Sequence, residues 1–118
     1  DDDAATKVPD DMKLKCYGVN AVIANGAYQG DIVNDDTDRT MNVSILNAQL
    51  TGVITDAYIS LEGSQWAATG DSTVCLVGDV KETQIDAAVG ITIQAVAGEG
   101  CGLKGEYTLA SGGKLIVG

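Results

Sequence analysis

A glycine flanked by an apolar residue two places before it and a β-favouring residue shortly after it recurs four times, and this recurrence constrains the fold most. The segments are YQGDIV around Gly30, LTGVIT around Gly52, LVGDVK around Gly78 and LKGEYT around Gly105. Tyr28, Leu50, Leu76 and Leu103 precede the glycines, and Ile32, Ile54, Val80 and Tyr107 follow them. The glycines lie 22, 26 and 27 residues apart. A period of roughly 25 residues with no helical pattern between repeats predicts the turns of a β-solenoid, in which like residues stack from one coil to the next. On that register Leu50, Leu76 and Leu103 stack on one another, and so do the four glycines.

The intervening segments carry strand periodicity. Met41, Val43 and Ile45 alternate with Asn42, Ser44 and Leu46; Ile59 and Leu61 face away from Tyr58 and Ser60; Ile91, Ile93 and Ala95 share one row. Runs this short, interrupted by Gly, Asn and Asp, are strands rather than helices. VKETQIDAAV is the one stretch with helical character, and it reads best as a loop passing into a strand before Gly90. The expected fold is all-β: a short, single-stranded right-handed parallel β-helix of about four to five coils over residues 12–118. A β-sandwich is the alternative. Residues 1–11, DDDAATKVPDD, form an acidic segment that caps the first coil or links it to something else. The opening Asp and the abrupt GGKLIVG ending suggest a piece of a longer polypeptide.

Composition agrees with stacked β layers. The chain has 118 residues, no Phe, one Trp and four Tyr, so its core must be built from Val, Ile, Leu and Ala, residues that pack well on a pleated surface. A net charge of −10 without any His argues against nucleic acid and anionic membrane surfaces, both of which select basic patches. It also removes the usual general base and the His-dependent triads and zinc sites. No apolar run approaches the roughly 20 residues of a helical membrane span. Cys16, Cys75 and Cys101 are too widely spaced for a metal motif. They read as small hydrophobes with reduced thiols, a Cys75–Cys101 bridge between neighbouring layers and a reactive thiol being the alternatives.

The stretch NVSILNAQLTGVITDAYISLEGSQWAATGDSTVCLVG resembles the right-handed β-helix of pertactin-like autotransporter passengers and related bacterial adhesin-like surface proteins. The residues that carry the likeness are Leu50-Thr51-Gly52 with Ile54, Gly63-Ser64-Gln65-Trp66, and Thr69-Gly70-Asp71-Ser72 leading into Val74 and Leu76. The resemblance implies a secreted or cell-surface module, extracellular, non-catalytic, acting as a stalk or binding scaffold toward a host surface or glycan. It also implies that Trp66 packs inward at a strand end, where Asp71 and Ser72 satisfy backbone donors of the following turn; a sugar-stacking ring is the other role open to it.

Three further features invite chemistry. Asp31, Asn34, Asp35, Asp36 and Asp38 cluster as calcium ligands would, although their spacing matches no EF-hand and a solvated acidic loop explains them more simply. Carboxylates at Asp56, Glu62, Asp71, Asp79, Glu82 and Asp86 supply candidate acids for glycoside cleavage, the second reading of function, yet no spacing pairs them, and Arg39 is the sole arginine. GEGCGLKG is glycine-rich but lacks the lysine-serine/threonine and helix of a phosphate loop. Open strand edges at the two ends of a solenoid make self-association the third reading. No catalytic residue is assigned and no cofactor is expected beyond that calcium.

Overall fold

The computed structural model describes residues 11–15, 20–36, 38–77, 82–96, 100–101, 109 and 111–117. Among them are eleven strands and no helix: β1 (Asp11–Lys15), β2 (Asn20–Ala24), β3 (Ala27–Val33), β4 (Asn42–Leu46), β5 (Gln49–Thr51), β6 (Ile54–Glu62), β7 (Gln65–Ala68), β8 (Ser72–Leu76), β9 (Gln84–Ala87), β10 (Thr92–Ala95) and β11 (Lys114–Val117). Every strand pair is parallel. They wind into a right-handed β-helix of about four turns.

Each turn visits three faces in a fixed order. The first face stacks β1, the end of β3, the start of β6, then β8, β10 and β11. The second stacks β2, β4 and the main part of β6, with the end of β8 on Ile59. The third stacks the start of β3, then β5, β7 and β9. Asp11, assigned from the sequence to the acidic segment, is the first residue of β1. The stretch read as loop passing into strand becomes β9.

Alternation sends every second side chain into the interior, where it meets its equivalents one coil above and below. On the second face Val43 lies between Ala21 and Ile59, and Ile45 between Ile23 and Leu61; all are buried. On the third face the rung runs Tyr28, Leu50, Trp66, Ile85. With no Phe available, Trp66 is the largest side chain in the core, 1% exposed, and its Nε1 donates to the Gly52 carbonyl at 3.0 Å.

The coils are unequal, and this corrects the expected register. Hydrogen bonds between adjacent coils join residues 16 apart at Ser44 and Ser60 and at Ala48 and Ser64, 18 apart at Ile54 and Ser72, and 22 apart at Asp31 and Val53. Gly52 does stack on Gly30, since a Cβ added there would collide with the Gly30 carbonyl. Leu50, however, sits beneath Trp66 on the third face, whereas Leu76 pairs with Ile59 on the second. The expected Leu50–Leu76 stack therefore does not exist. Gly78, Leu103 and Gly105, the rest of that pattern, lie outside the described residues, as does Cys16.

The repeat that sets the register is a different one. Asn25, Asn47, Gly63 and Glu82 all take left-handed backbone, with φ of 58°, 50°, 57° and 48°, and turn the chain from the second face to the third. Asn and Gly adopt this region at least cost. Two residues later come Ala27, Gln49, Gln65 and Gln84, one rung of the third face, and then the inward Tyr28, Leu50, Trp66 and Ile85. The recurring tetrapeptides are NGAY, NAQL, GSQW and ETQI.

Two buried hydroxyls fasten successive coils. Ser64 Oγ accepts from Ala48 N and donates toward the Ile45 and Glu62 carbonyls; Ser72 Oγ accepts from Ile54 N and donates to Gly70 O. Asp71, expected to cap its own turn, instead accepts from Thr92 N of the next coil at 2.9 Å. Cys75 and Cys101 form a disulfide, with Cα atoms 5.1 Å apart, which corrects the expectation of reduced thiols for this pair. By alternation Cys75 points outward between the inward Val74 and Leu76, yet it is only 3% exposed.

Candidate functional site

Among the described residues, coil length changes at the corner between the first and second faces. In the first complete coil β3 ends at Val33 and β4 begins only at Asn42, whereas in the next coil β6 runs through the corner unbroken. There Asp56 is an extra residue: the pairing of β6 with β8 slips between Thr55 and Ala57, and Asp56 takes φ 57°. A left-handed aspartate in a strand is sterically costly, and such backbone is held only where the surroundings impose it. The imposing group is Asn34. It is 4% exposed, and its Nδ2 donates both to the Asp56 carbonyl at 3.2 Å and to the Arg39 carbonyl at 2.9 Å. Its Oδ1 accepts from Asp36 N at 3.1 Å. One side-chain amide thus ties the protruding loop to the bulge on the coil beside it.

Between the loop and the bulge lies an open cavity of about 240 Å³. Asn34, Arg39, Thr40, Asp56, Tyr58 and Thr73 supply its polar lining, and Cys75 and Val96 apolar side chains. Arg39 approaches Asp36, Nε to Oδ2, at 3.7 Å, and its side chain is 62% exposed, so the pair contributes little to stability and leaves the guanidinium free to turn toward a ligand. Tyr58 faces outward and is 38% exposed. The disulfide adjoins the floor, holding the segment at Cys101 against Cys75.

The residues proposed from sequence as calcium ligands are placed otherwise. Asp31 Oδ1 accepts from Val53 N at 3.0 Å, bridging two coils; Asn34 is engaged as described; Asp36 Oδ1 accepts from Asp38 N at 3.2 Å in a local turn; Asp35 is exposed on the loop. Among the described residues no three of the acidic or cysteine side chains converge on a point where a cation would sit. The candidate acids are likewise dispersed. Glu62 ends β6 on the second face, Asp71 precedes β8, and Asp86 lies on the third face, where its two oxygens accept from Ser111 N and Ser111 Oγ at 3.0 and 2.9 Å. Asp79 lies outside the described residues.

A second feature runs along the third face. Gln49, Gln65 and Gln84 stand one above another, all exposed, in register with Ala27. Sequence reasoning missed this ladder and named Asn34 as a calcium ligand rather than as the residue that ties two coils. The Gln-apolar dipeptides were the signal for the ladder, whereas a buried Asn within an acidic run leaves no signal of its own. Among the described residues no helix is long and apolar enough to cross a membrane. No protein family, curated protein or solved structure matches the chain.

Proposed function

We propose that the chain is a non-catalytic, secreted or surface-displayed module, an adhesin-like stalk or binding scaffold of bacterial type that engages glycan on a host or matrix surface. The observation that carries this reading is the Gln49–Gln65–Gln84 ladder, with its flat row of exposed amides. Stacked strands repeat about every 4.8 Å, so the row offers donors and acceptors at a regular interval along a rigid edge. A repeating polymer can be gripped by such a row at many weak points at once. The disulfide supports an oxidising, extracytoplasmic setting. The net charge of −10 favours a soluble, well-separated molecule over one that seeks polyanions.

The test is retention on an array of immobilised polysaccharides, with calcium present and after chelation, together with analysis of the eluate for shortened chains. Retention without shortening is the expected result. Release of oligosaccharides would replace the scaffold by a carbohydrate-active enzyme, and retention on no surface would remove the reading.

A further inference from the structure

We infer that the corner cavity bordered by Asn34, Arg39 and Asp56 is a sugar-binding subsite that accepts one uncharged pyranose unit; the inference rests on the scaffold reading and supplies its specific contact.

The site lies where the fold departs from its minimum. Coils joined by 16-residue spans show how little chain one turn of this helix requires. The preceding coil spans 22 residues, and the additional length falls between the end of β3 at Val33 and the start of β4 at Asn42. In solenoids such additions emerge on one side of the stack and tend to form binding faces. This one is not loose. Asn34, buried beneath it, fixes the backbone at both Arg39 and Asp56. The same hydrogen bond holds Asp56 in its left-handed bulge, so a costly backbone conformation is maintained at the rim of the cavity.

The lining chemistry selects the ligand class. Arg39 and Asp56 contribute one positive and one negative charge, so the rim is balanced, and a charged ligand would leave one of them opposed. Thr40 and Thr73 add hydroxyls that both donate and accept. Tyr58 brings a half-exposed ring, against which the C–H face of a pyranose packs while its hydroxyls reach the flanking polar groups. Cys75 and Val96 add apolar surface. At about 240 Å³ the cavity falls below the roughly 300–1,000 Å³ of sites for drug-sized molecules, which suits a single ring. The loop's carboxylates at Asp35, Asp36 and Asp38 disfavour an anionic sugar further.

The experiment is a titration of the isotopically labelled protein with glucose, galactose, mannose and glucuronate, followed by backbone amide shifts, alongside the polysaccharide array. One of the neutral hexoses is expected to shift the amides of Thr40, Asp56, Tyr58 and Thr73 in a saturable manner, and glucuronate to bind more weakly. Tyr58→Ala and Arg39→Ala are expected to weaken that binding at least about tenfold, and Arg39→Ala, at a side chain 62% exposed, to do so without altering the unfolding midpoint. Asn34→Asp tests the positioning role: the loop loses its amide donor, and affinity should fall although Asn34, which borders the cavity, is only 4% exposed and offers the ring little surface of its own. If polysaccharide is retained while the cavity amides stay unmoved, or while shifts cluster on Gln49, Gln65 and Gln84, the cavity assignment fails and the scaffold stands. Preference for glucuronate would also overturn it. Saturable hexose binding together with released oligosaccharides would keep the cavity and remove the scaffold.

Discussion

Replacing Trp66 tests whether this core depends on one ring. The indole lies on the rung between Leu50 and Ile85 and is 1% exposed. An aromatic side chain buries about 150–250 Å², and at roughly 25 cal/mol per Å² its burial is worth about 4–6 kcal/mol. Truncation to Ala keeps the Cβ but opens a cavity, and costs of about 3–5 kcal/mol are usual for Trp→Ala. The hydrogen bond adds a second cost. Gly52 O receives Nε1 at 3.0 Å and, among the described residues, otherwise only the longer Thr69 N–H at 3.4 Å. Removing the indole donor from a buried carbonyl costs about 1–3 kcal/mol. Trp66→Phe retains most of the ring but not the donor, so it should lose about 1–3 kcal/mol, and Trp66→Ala at least about 4 kcal/mol. Against a total of about 5–15 kcal/mol for a domain, the second variant approaches the limit of folding. Urea unfolding followed by circular dichroism measures both, since the variants lack the sole fluorophore of this kind. Before any substitution, acrylamide should quench the wild-type indole poorly. A Trp66→Ala protein destabilised by less than about 1 kcal/mol, or a readily quenched wild-type indole, would refute the placement of the ring inside the coil.

The Cys75–Cys101 bridge closes a segment of 26 residues, and chain entropy alone assigns such a loop about 3.5 kcal/mol. Reduction, or Cys75→Ser with Cys101→Ser, should therefore lower the unfolding midpoint markedly in calorimetry; an unchanged midpoint would show that the bridge constrains nothing. Gly52→Ala places a Cβ against the Gly30 carbonyl, where the flanking ladders prevent the backbone from yielding, and should cost about 1–3 kcal/mol or more. A Gly52→Ala protein as stable as the parent in urea would show that the two coils are not seated so closely.

What the sequence revealed and what it concealed divide along the range of the signal. Inward and outward phases were legible at Val43, Ile45, Ile59, Leu61, Ile93 and Ala95, because alternation is a local property and each strand declares it alone. Stacking register was not, because it depends on how much chain each coil spends at its corners. The glycine pattern matched Leu76 to Leu50 although the two lie on different faces: an apolar residue two places before a glycine occurs wherever a strand meets a turn. The αL corner at Asn25, Asn47, Gly63 and Glu82 marks true equivalence, but Asn, Gly and Glu look alike only once the backbone is seen. Cys75 did carry a local hint, being an apolar residue on an outward phase, and its partner explains that mismatch. The acidic run was visible as a cluster. Its organising member, Asn34, was legible only as another oxygen donor, since its burial is created by a loop folding over a neighbouring coil.

The wholly parallel pairing of these strands also bears on how the protein comes to be made. No two adjacent strands can zip together as a hairpin, and each must wait for a full coil of chain before it finds a partner. Yet among the described strands the wait is of the same order, from 16 residues between Leu50 and Trp66 to 22 between Thr92 and Lys114. No contact in the rungs depends on bringing the two chain ends together, so the cost of closure stays nearly constant as the stack lengthens. The early coils thus present a finished strand edge to whatever emerges next, and a chain leaving the ribosome or crossing a membrane in either direction can build itself one rung upon the last.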